Sequence, residues 1–430
     1  MSCITRYWLV AIIAGMVTWP ACAADADIAT DWNAAVLEVA EAEDGFMTLK
    51  GLRTVTLTHL AMHDALNGSE GRYAHFLAST TTSTGSVPAA ISAAYHVASL
   101  HYPDAQPRFE ALLERQLQAL PQSGSFAQLT ARGKAIAAAT IQSRADDGWA
   151  AEAEYRWHPM APGVYAEFNE HSGTPEGFIF GAGWARATGF GFEAVQEYRA
   201  PPPPAIDGDA YARSFKEVNS LGRFQRQHRT PDQTHIALWW KDFVENSHNR
   251  LARDLIERER LDLVDAVRLL AMLNMSVFDA YVASFDNKFH YNHWRPYTAI
   301  RWADNDGNDA TDVESTWTNT HRHTYAFPSY PSAHGTACSA AMTTLASVFG
   351  ADYAFTMRTP IVDIAGPFSG NIEMQPATRS FASFAEAAAQ CGESRVFLGI
   401  HFRYDSESGV ELGRRVANNL LKKQLQPTNR

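Results

Sequence analysis

Apolar residues recur at three- and four-residue spacing along most of this chain, the period of helices that bury one face. The pattern predicts helices over 33–43, 50–67, 88–101, 106–120 and 125–146 in the first half. In the second half it predicts 209–219, 231–258, 262–285, 332–349, 383–397 and 406–424. Thr230-Pro231-Asp232-Gln233 combines an N-cap Thr, a Pro at the first helical position and a capping Gln. Ser383 with Glu386 forms another capping pair. Alternating runs long enough for a sheet are scarce, so the expected fold is mainly α, as two packed helical bundles. The period fails over 149–208, which is rich in Gly and Pro and ends in Pro201-Pro202-Pro203-Pro204. Structureless connections of that length are unusual in a compact domain. Aromatics such as Trp157, Tyr165, Phe178, Phe180 and Trp184 argue against disorder there. The segment therefore reads as an ordered connection between bundles over 24–148 and 209–430. Met62-His63-Asp64-Ala65-Leu66 echoes Val277-Phe278-Asp279-Ala280-Tyr281, a faint sign of duplication.

The N-terminus changes how the rest is counted. Tyr7 to Val17 is apolar but too short to span a bilayer, and Ala21-Cys22-Ala23 matches a small-x-small cleavage site. Residues 1–23 read as a signal peptide, with a lipid anchor on Cys22 as the competing reading. The expected destination is the periplasm or the medium. Without Arg6 the mature chain carries 35 basic against 47 acidic residues, a balance of −12. That argues against nucleic acid as a partner. Cys338 and Cys391 remain, too few for a disulfide scaffold, and no C-x-x-C metal pair is present. Export would permit one bridge between them.

Against this acidic background, three short blocks stand out. Lys288 is followed seven residues later by Arg295-Pro296. On one helix both cations would emerge on one face, with Pro296 marking the helix end. Pro331-Ser332-Ala333-His334 opens an Ala-rich helix, where Ser332 is a natural N-cap and first-turn N–H groups can face an anion. Ser394-Arg395 is followed by His401 and Asp405, with Gly399 offering a helix end that lets His401 swing back toward Arg395. Asp405 could fix the His401 tautomer, cap a helix starting at Ser406, or do both. Together the blocks supply cations, a hydroxyl and two imidazoles, the inventory of a cage for a tetrahedral oxyanion.

In this order and spacing, the blocks resemble the vanadium-dependent haloperoxidases and their relatives, the type 2 phosphatidic acid phosphatases and class A bacterial acid phosphatases. That superfamily is marked by K-x6-R-P, P-S-G-H and S-R-x5-H-x3-D. The wording around 289–296 and 397–405 is more similar to the soluble haloperoxidase branch. The resemblance implies that Lys288, Arg295 and Arg395 neutralise the oxyanion, with Ser332 and the Ala333 N–H adding hydrogen bonds. It implies that His401 binds vanadium, or attacks phosphorus, and that His334 is the acid/base. Lys288 would also bond a peroxide oxygen. Trp239-Trp240-Lys241-Asp242 falls where an Asp supports the acid/base His in fungal members, which makes Asp242 a candidate. Phe285 and Phe327 match aromatic positions of chloroperoxidase-like members. Implied partners are vanadate, hydrogen peroxide and a halide. Phosphate would fit the same site, and the alternative is an acid phosphatase acting on phosphomonoesters through a phosphohistidine. A non-catalytic oxyanion-binding protein is the third reading.

One residue departs from the pattern: Ala333 stands where the family has Gly. If the backbone there needed positive φ, Ala would be strained by about 1 kcal/mol. If the second and third blocks line one anion, Cys338 and Cys391 must be neighbours, with Cα atoms within about 10 Å, compared with ~4.4–6.8 Å for a disulfide.

Overall fold

The computed structural model describes residues 26–45, 48–68, 71–78, 85–121, 125–166, 169–225, 228–366 and 369–428. The signal-peptide reading of 1–23 lies outside them. Five helices form the first bundle: α1 (Ala26–Asp44), α2 (Leu49–Asn67), α3 (Val87–His101), α4 (Gln106–Ala119) and α5 (Phe126–Ser143). A single turn, α6 (Asn169–Ser172), lies in the connection. There follow α7 (Asp209–Leu221), α8 (Pro231–Trp239), α9 (Val244–Glu259), α10 (Leu263–Tyr291) and α11 (Pro296–Arg301). The chain closes with α12 (Ala333–Phe349), α13 (Phe384–Leu398) and α14 (Arg403–Lys423).

The axis of the molecule is α10. Asp262 caps it by accepting the Asp265 N–H at 3.0 Å, and Asn292 ends it in the left-handed region at φ 48°. Its length and composition would suit a membrane span, but its apolar window is 94% buried in protein, so it is a core helix. It packs on α1 and α2 on one side and on α9, α12 and α14 on the other. Polar groups inside this seam are paired: Asn249 bonds Asn274 and Asn33, and Thr344 bonds Ser276.

Two predicted elements differ from the structure. The run 231–258 is broken after Trp239, so α8 and α9 are separate helices. Residues 355–381 hold short strands that alternation did not reveal. β1 (Phe355–Arg358) pairs antiparallel with β4 (Thr378–Phe381), and β2 (Ile361–Asp363) with β3 (Asn371–Glu373). At three or four residues each, they are too short to carry a periodic signal. Contacts from outside fasten the arm: the Trp239 indole donates to the Ala377 carbonyl at 2.8 Å, and Lys241 pairs with Asp363 at 2.7 Å.

The internal echo has a shared structural job. Asp64 on α2 accepts the consecutive N–H groups of Phe76 and Leu77 at 2.8 and 2.9 Å. Asp279 on α10 accepts those of Phe190 and Gly191 at 2.6 and 2.7 Å. In each case a buried helical carboxylate pins a loop by two adjacent amides. The second case ties the irregular connection to the central helix. Asp279→Ala would orphan both amides, and unfolding free energy should fall by about 2–4 kcal/mol in chemical denaturation. Burial pushes the Asp279 carboxyl up to about 7. Its contribution is therefore fully present below the ordinary carboxylate value and is lost as pH rises through about 7. The difference between wild type and variant should accordingly be larger at about pH 5 than at about pH 8.

Candidate active site

The ends of five helices converge on one place. Lys288 lies in the last turns of α10, and Arg295 is the N-cap of α11. The two cations thus sit on different elements, and the left-handed turn at Asn292 brings them together where a shared helix face was expected. Lys288 is fully buried and donates to the carbonyls of Pro328, Ser329 and Pro331 at 2.9, 2.7 and 2.6 Å. Those bonds use all three ammonium protons. In this structure Lys288 therefore fastens the strap that leads into α12, and no donor of its own faces the site. Burial, reinforced by Arg295, holds its ammonium well below the ordinary lysine range.

Arg295 donates from Nε to the Phe327 carbonyl (2.9 Å) and from Nη1 to the Ile400 carbonyl (3.0 Å) and to His401 Nε2 (3.1 Å). Its buried Nη2 has no partner. Burial lowers its guanidinium to about 10. Arg395, in the last turn of α13, donates to Ser394 Oγ at 2.9 Å and to the Trp240 carbonyl at 2.6 Å.

Ser332 caps α12 by accepting the Gly335 N–H at 3.2 Å, as its position implied. Ala333 opens the helix and is absent from the described non-glycine residues with positive φ. The family glycine is therefore not required here for backbone reasons, and the cost anticipated for Ala333 does not arise. His334 lies beside the Trp240 carbonyl, which acts to raise its pKa. Its buried Nε2 has no partner. Burial, with Arg395 and His248 nearby, keeps the ring neutral by lowering its pKa well below the usual value.

Gly399 ends α13 at φ 83°, and the chain then turns His401 back toward Arg295. A side chain at Gly399 would meet the Gly222 carbonyl at 2.3 Å. His401 Nδ1 lies 3.0 Å from Asp405 Oδ2, and the same oxygen accepts the Phe402 N–H at 3.1 Å. Asp405 thus orients the imidazole and caps the helix as well. It does so from the third position of α14, because the helix starts at Arg403 and not at Ser406. With its proton on Nδ1, His401 keeps its Nε2 lone pair on the cage side, where it accepts from Arg295 Nη1, the bond a ligand on that nitrogen would replace. Burial and the surrounding cations lower its pKa well below the ordinary value, so it is neutral.

Asp242 is not part of this cluster. It pairs with Arg250 and lines a separate cavity with Glu41 and Arg253, and Trp240's carbonyl takes the place beside His334 that Asp242 was expected to fill. Ser329 was missed: its hydroxyl donates to Asp405 and lies 3.2 Å from His401 Nδ1. It directly precedes Tyr330 and the second block, but nothing in its type or spacing set it apart. Cys338 and Cys391 are buried free thiols on the packed helices α12 and α13, and His248 Nε2 is 3.2 Å from the Cys338 sulfur. The packing of the second block against the third is as expected.

Above the cage lies a cavity of about 650 Å³ that reaches Ala333, His334, Arg395 and His401. Lys288, Arg295, Ser332 and Asp405 form the shell behind them. Comparison with known proteins bears on the fold that carries this cavity. Residues 268–430 match the model of the VCPO second helical-bundle domain. A bacterial vanadium-dependent iodoperoxidase structure superposes with a TM-score of 0.73 at 20% identity, covering 94% of this chain and 97% of that one. Over residues 268–430 the chain is thus similar to that domain, and over most of its length it has the fold of that structure. The vanadium chloroperoxidase of Curvularia inaequalis is 23% identical over 277 residues, 51% of this chain and 45% of that protein. The match thus spans less than half of that relative. The structure of a holo bacterial vanadium-dependent chloroperoxidase is similar in fold, with a TM-score of 0.64 at 16% identity, over 87% of this chain and 92% of that one.

Burial first, and then repulsion from the neighbouring cations, lowers the pKa of both histidines. A bound oxyanion would offset that repulsion and raise their pKa values, so binding should take up protons. Sulfate, whose own charge is constant, should therefore bind more weakly as pH rises from about 5 to 8. Calorimetry in buffers of different ionisation enthalpy should register the uptake.

Proposed function

We propose that this protein is a vanadate-dependent haloperoxidase, oxidising halide with hydrogen peroxide. The observation that carries the reading is a pair of buried, unpartnered nitrogens, Arg295 Nη2 and His334 Nε2, in the cluster that holds a neutral His401. Buried polar groups are rarely left without partners, and these two fit the oxygens of a tetrahedral anion. Vanadate fits the donor set: Arg295, Arg395, the Ser332 hydroxyl and the first-turn N–H groups of α12 would hold its oxygens. His401 Nε2 would be the protein ligand.

Bound vanadate would supply a Lewis acid that activates peroxide toward halide without change of oxidation state. The chain's own residues would do the rest. His401 stays neutral and oriented because Asp405 holds its Nδ1 proton. His334, with a free lone pair on Nε2, would take a proton from the incoming peroxide and return it to the departing oxygen. Lys288 would act at one remove, holding the Pro328–Pro331 strap and adding positive charge behind the anion. A passive anion-binding protein would have no use for a neutral base aimed into the site.

Protein dialysed against chelator should regain peroxide- and bromide-dependent oxidation of a phenolic dye when orthovanadate is added, and phosphate should inhibit it. If vanadate instead only inhibits hydrolysis of a phosphomonoester and no halide is oxidised, the protein is a phosphatase. His401→Ala should weaken vanadate binding by orders of magnitude. His334→Ala should keep binding but slow turnover roughly 10²–10⁴-fold. Equal loss of binding in both variants would reverse the two assignments.

A further inference from the structure

Peroxide and halide need only a few tens of cubic ångströms, yet the cavity over the cage measures about 650 Å³. That lies within the ~300–1,000 Å³ range of sites for organic ligands. Its walls are aromatic. Phe180, Phe285 and Phe327 form a mutual triad, with ring centroids 6.2, 5.9 and 5.3 Å apart. Phe180 comes from the irregular connection, and its N–H donates to the Ala326 carbonyl at 2.9 Å. The next residue, Gly181, has φ +74°, and a Cβ there would stand 2.2 Å from the Phe285 ring. The connection is therefore packed onto this wall as closely as its backbone allows. Phe178 lines the cavity and is 41% exposed, a large apolar side chain left in water at the entrance to an apolar space. Charged lining residues are Arg322 and Arg395 against Glu170, which disfavours cationic guests.

We propose that this cavity binds an electron-rich aromatic acceptor of the phenol class and presents it to the oxyanion site, so that its ring is halogenated in place. This rests on the haloperoxidase reading. The step balances as one aromatic C–H, one hydrogen peroxide, one halide ion and one proton giving one C–halogen bond and two waters. The halide is oxidised by two electrons, the peroxide O–O bond is reduced and broken, and the ring proton leaves.

The probe is 2-naphthol, titrated into the full chain loaded with phosphate and followed by calorimetry. One-to-one saturable binding is expected. Phe178→Ala and Phe180→Ala should each weaken it at least fivefold while phosphate affinity, the check on a folded site, is unchanged. Unsaturable binding, or variants that bind naphthol as wild type does, would overturn the proposal. In the vanadate-loaded enzyme the rate of naphthol bromination should saturate with a midpoint that tracks the binding constant. Intact bromide oxidation with a rate indifferent to naphthol concentration would mean that oxidant escapes to solvent, and would also overturn it. Saturable binding with no halide oxidised would instead sink the haloperoxidase reading. Hydrolysis of 2-naphthyl phosphate in that case would reassign the cavity to an ester's leaving group.

Discussion

The structure is organised around positive charge buried without matching negative charge. Lys288, Arg295 and Arg395 are each almost fully buried, and the carboxylate that acts on the first two, Asp405, is committed to His401. What holds the cations is backbone. Lys288 is satisfied by three carbonyls, Arg295 by those of Phe327 and Ile400, and Arg395 by that of Trp240. Carbonyl dipoles satisfy donors but do not cancel net charge, so the cage stays cationic in a medium of low dielectric. An arrangement built with carboxylates would be more stable alone and would have no use for an anion. Burial, helped by the same field, keeps both histidines neutral, which is the state a ligand or base requires.

Much of the remaining architecture positions those carbonyls. The long helix α10 delivers Lys288, and Asp279 on the same helix pins the connection that supplies Phe180 to the cavity wall. Asp64 performs the matching task on α2. A five-residue resemblance that chance could produce thus corresponds to one recurring contact: a helical carboxylate clasping two successive amides.

What could be read from residues alone follows from where the physics is local. The caps at Thr230, Ser332 and Ser383, and the turn at Gly399, depend on neighbours within a few positions, and all four are found in the structure. The three blocks were legible because each carries its own functional groups. Asp242 was misplaced because the direction of a side chain just past a helix end depends on how that helix ends, and α8 ends earlier than periodicity implied. Ser329 and the Trp240 carbonyl were invisible for a related reason: one has an unremarkable side chain, and the other is main chain that any residue would supply. Strands β1 to β4 escaped notice because Trp239 and Lys241 hold their arm from outside, whereas their own alternation is too brief to register.

The interruption between α8 and α9 has a consequence of its own. In an unbroken helix the Trp240 carbonyl would accept the amide of Val244, one turn on. Because the helix stops, that oxygen is released and accepts from Arg395 at 2.6 Å, beside His334. The cation is therefore tethered to a main-chain atom that also borders the base. A gap in regular structure here frees an anchor that sets one reactive group next to the other.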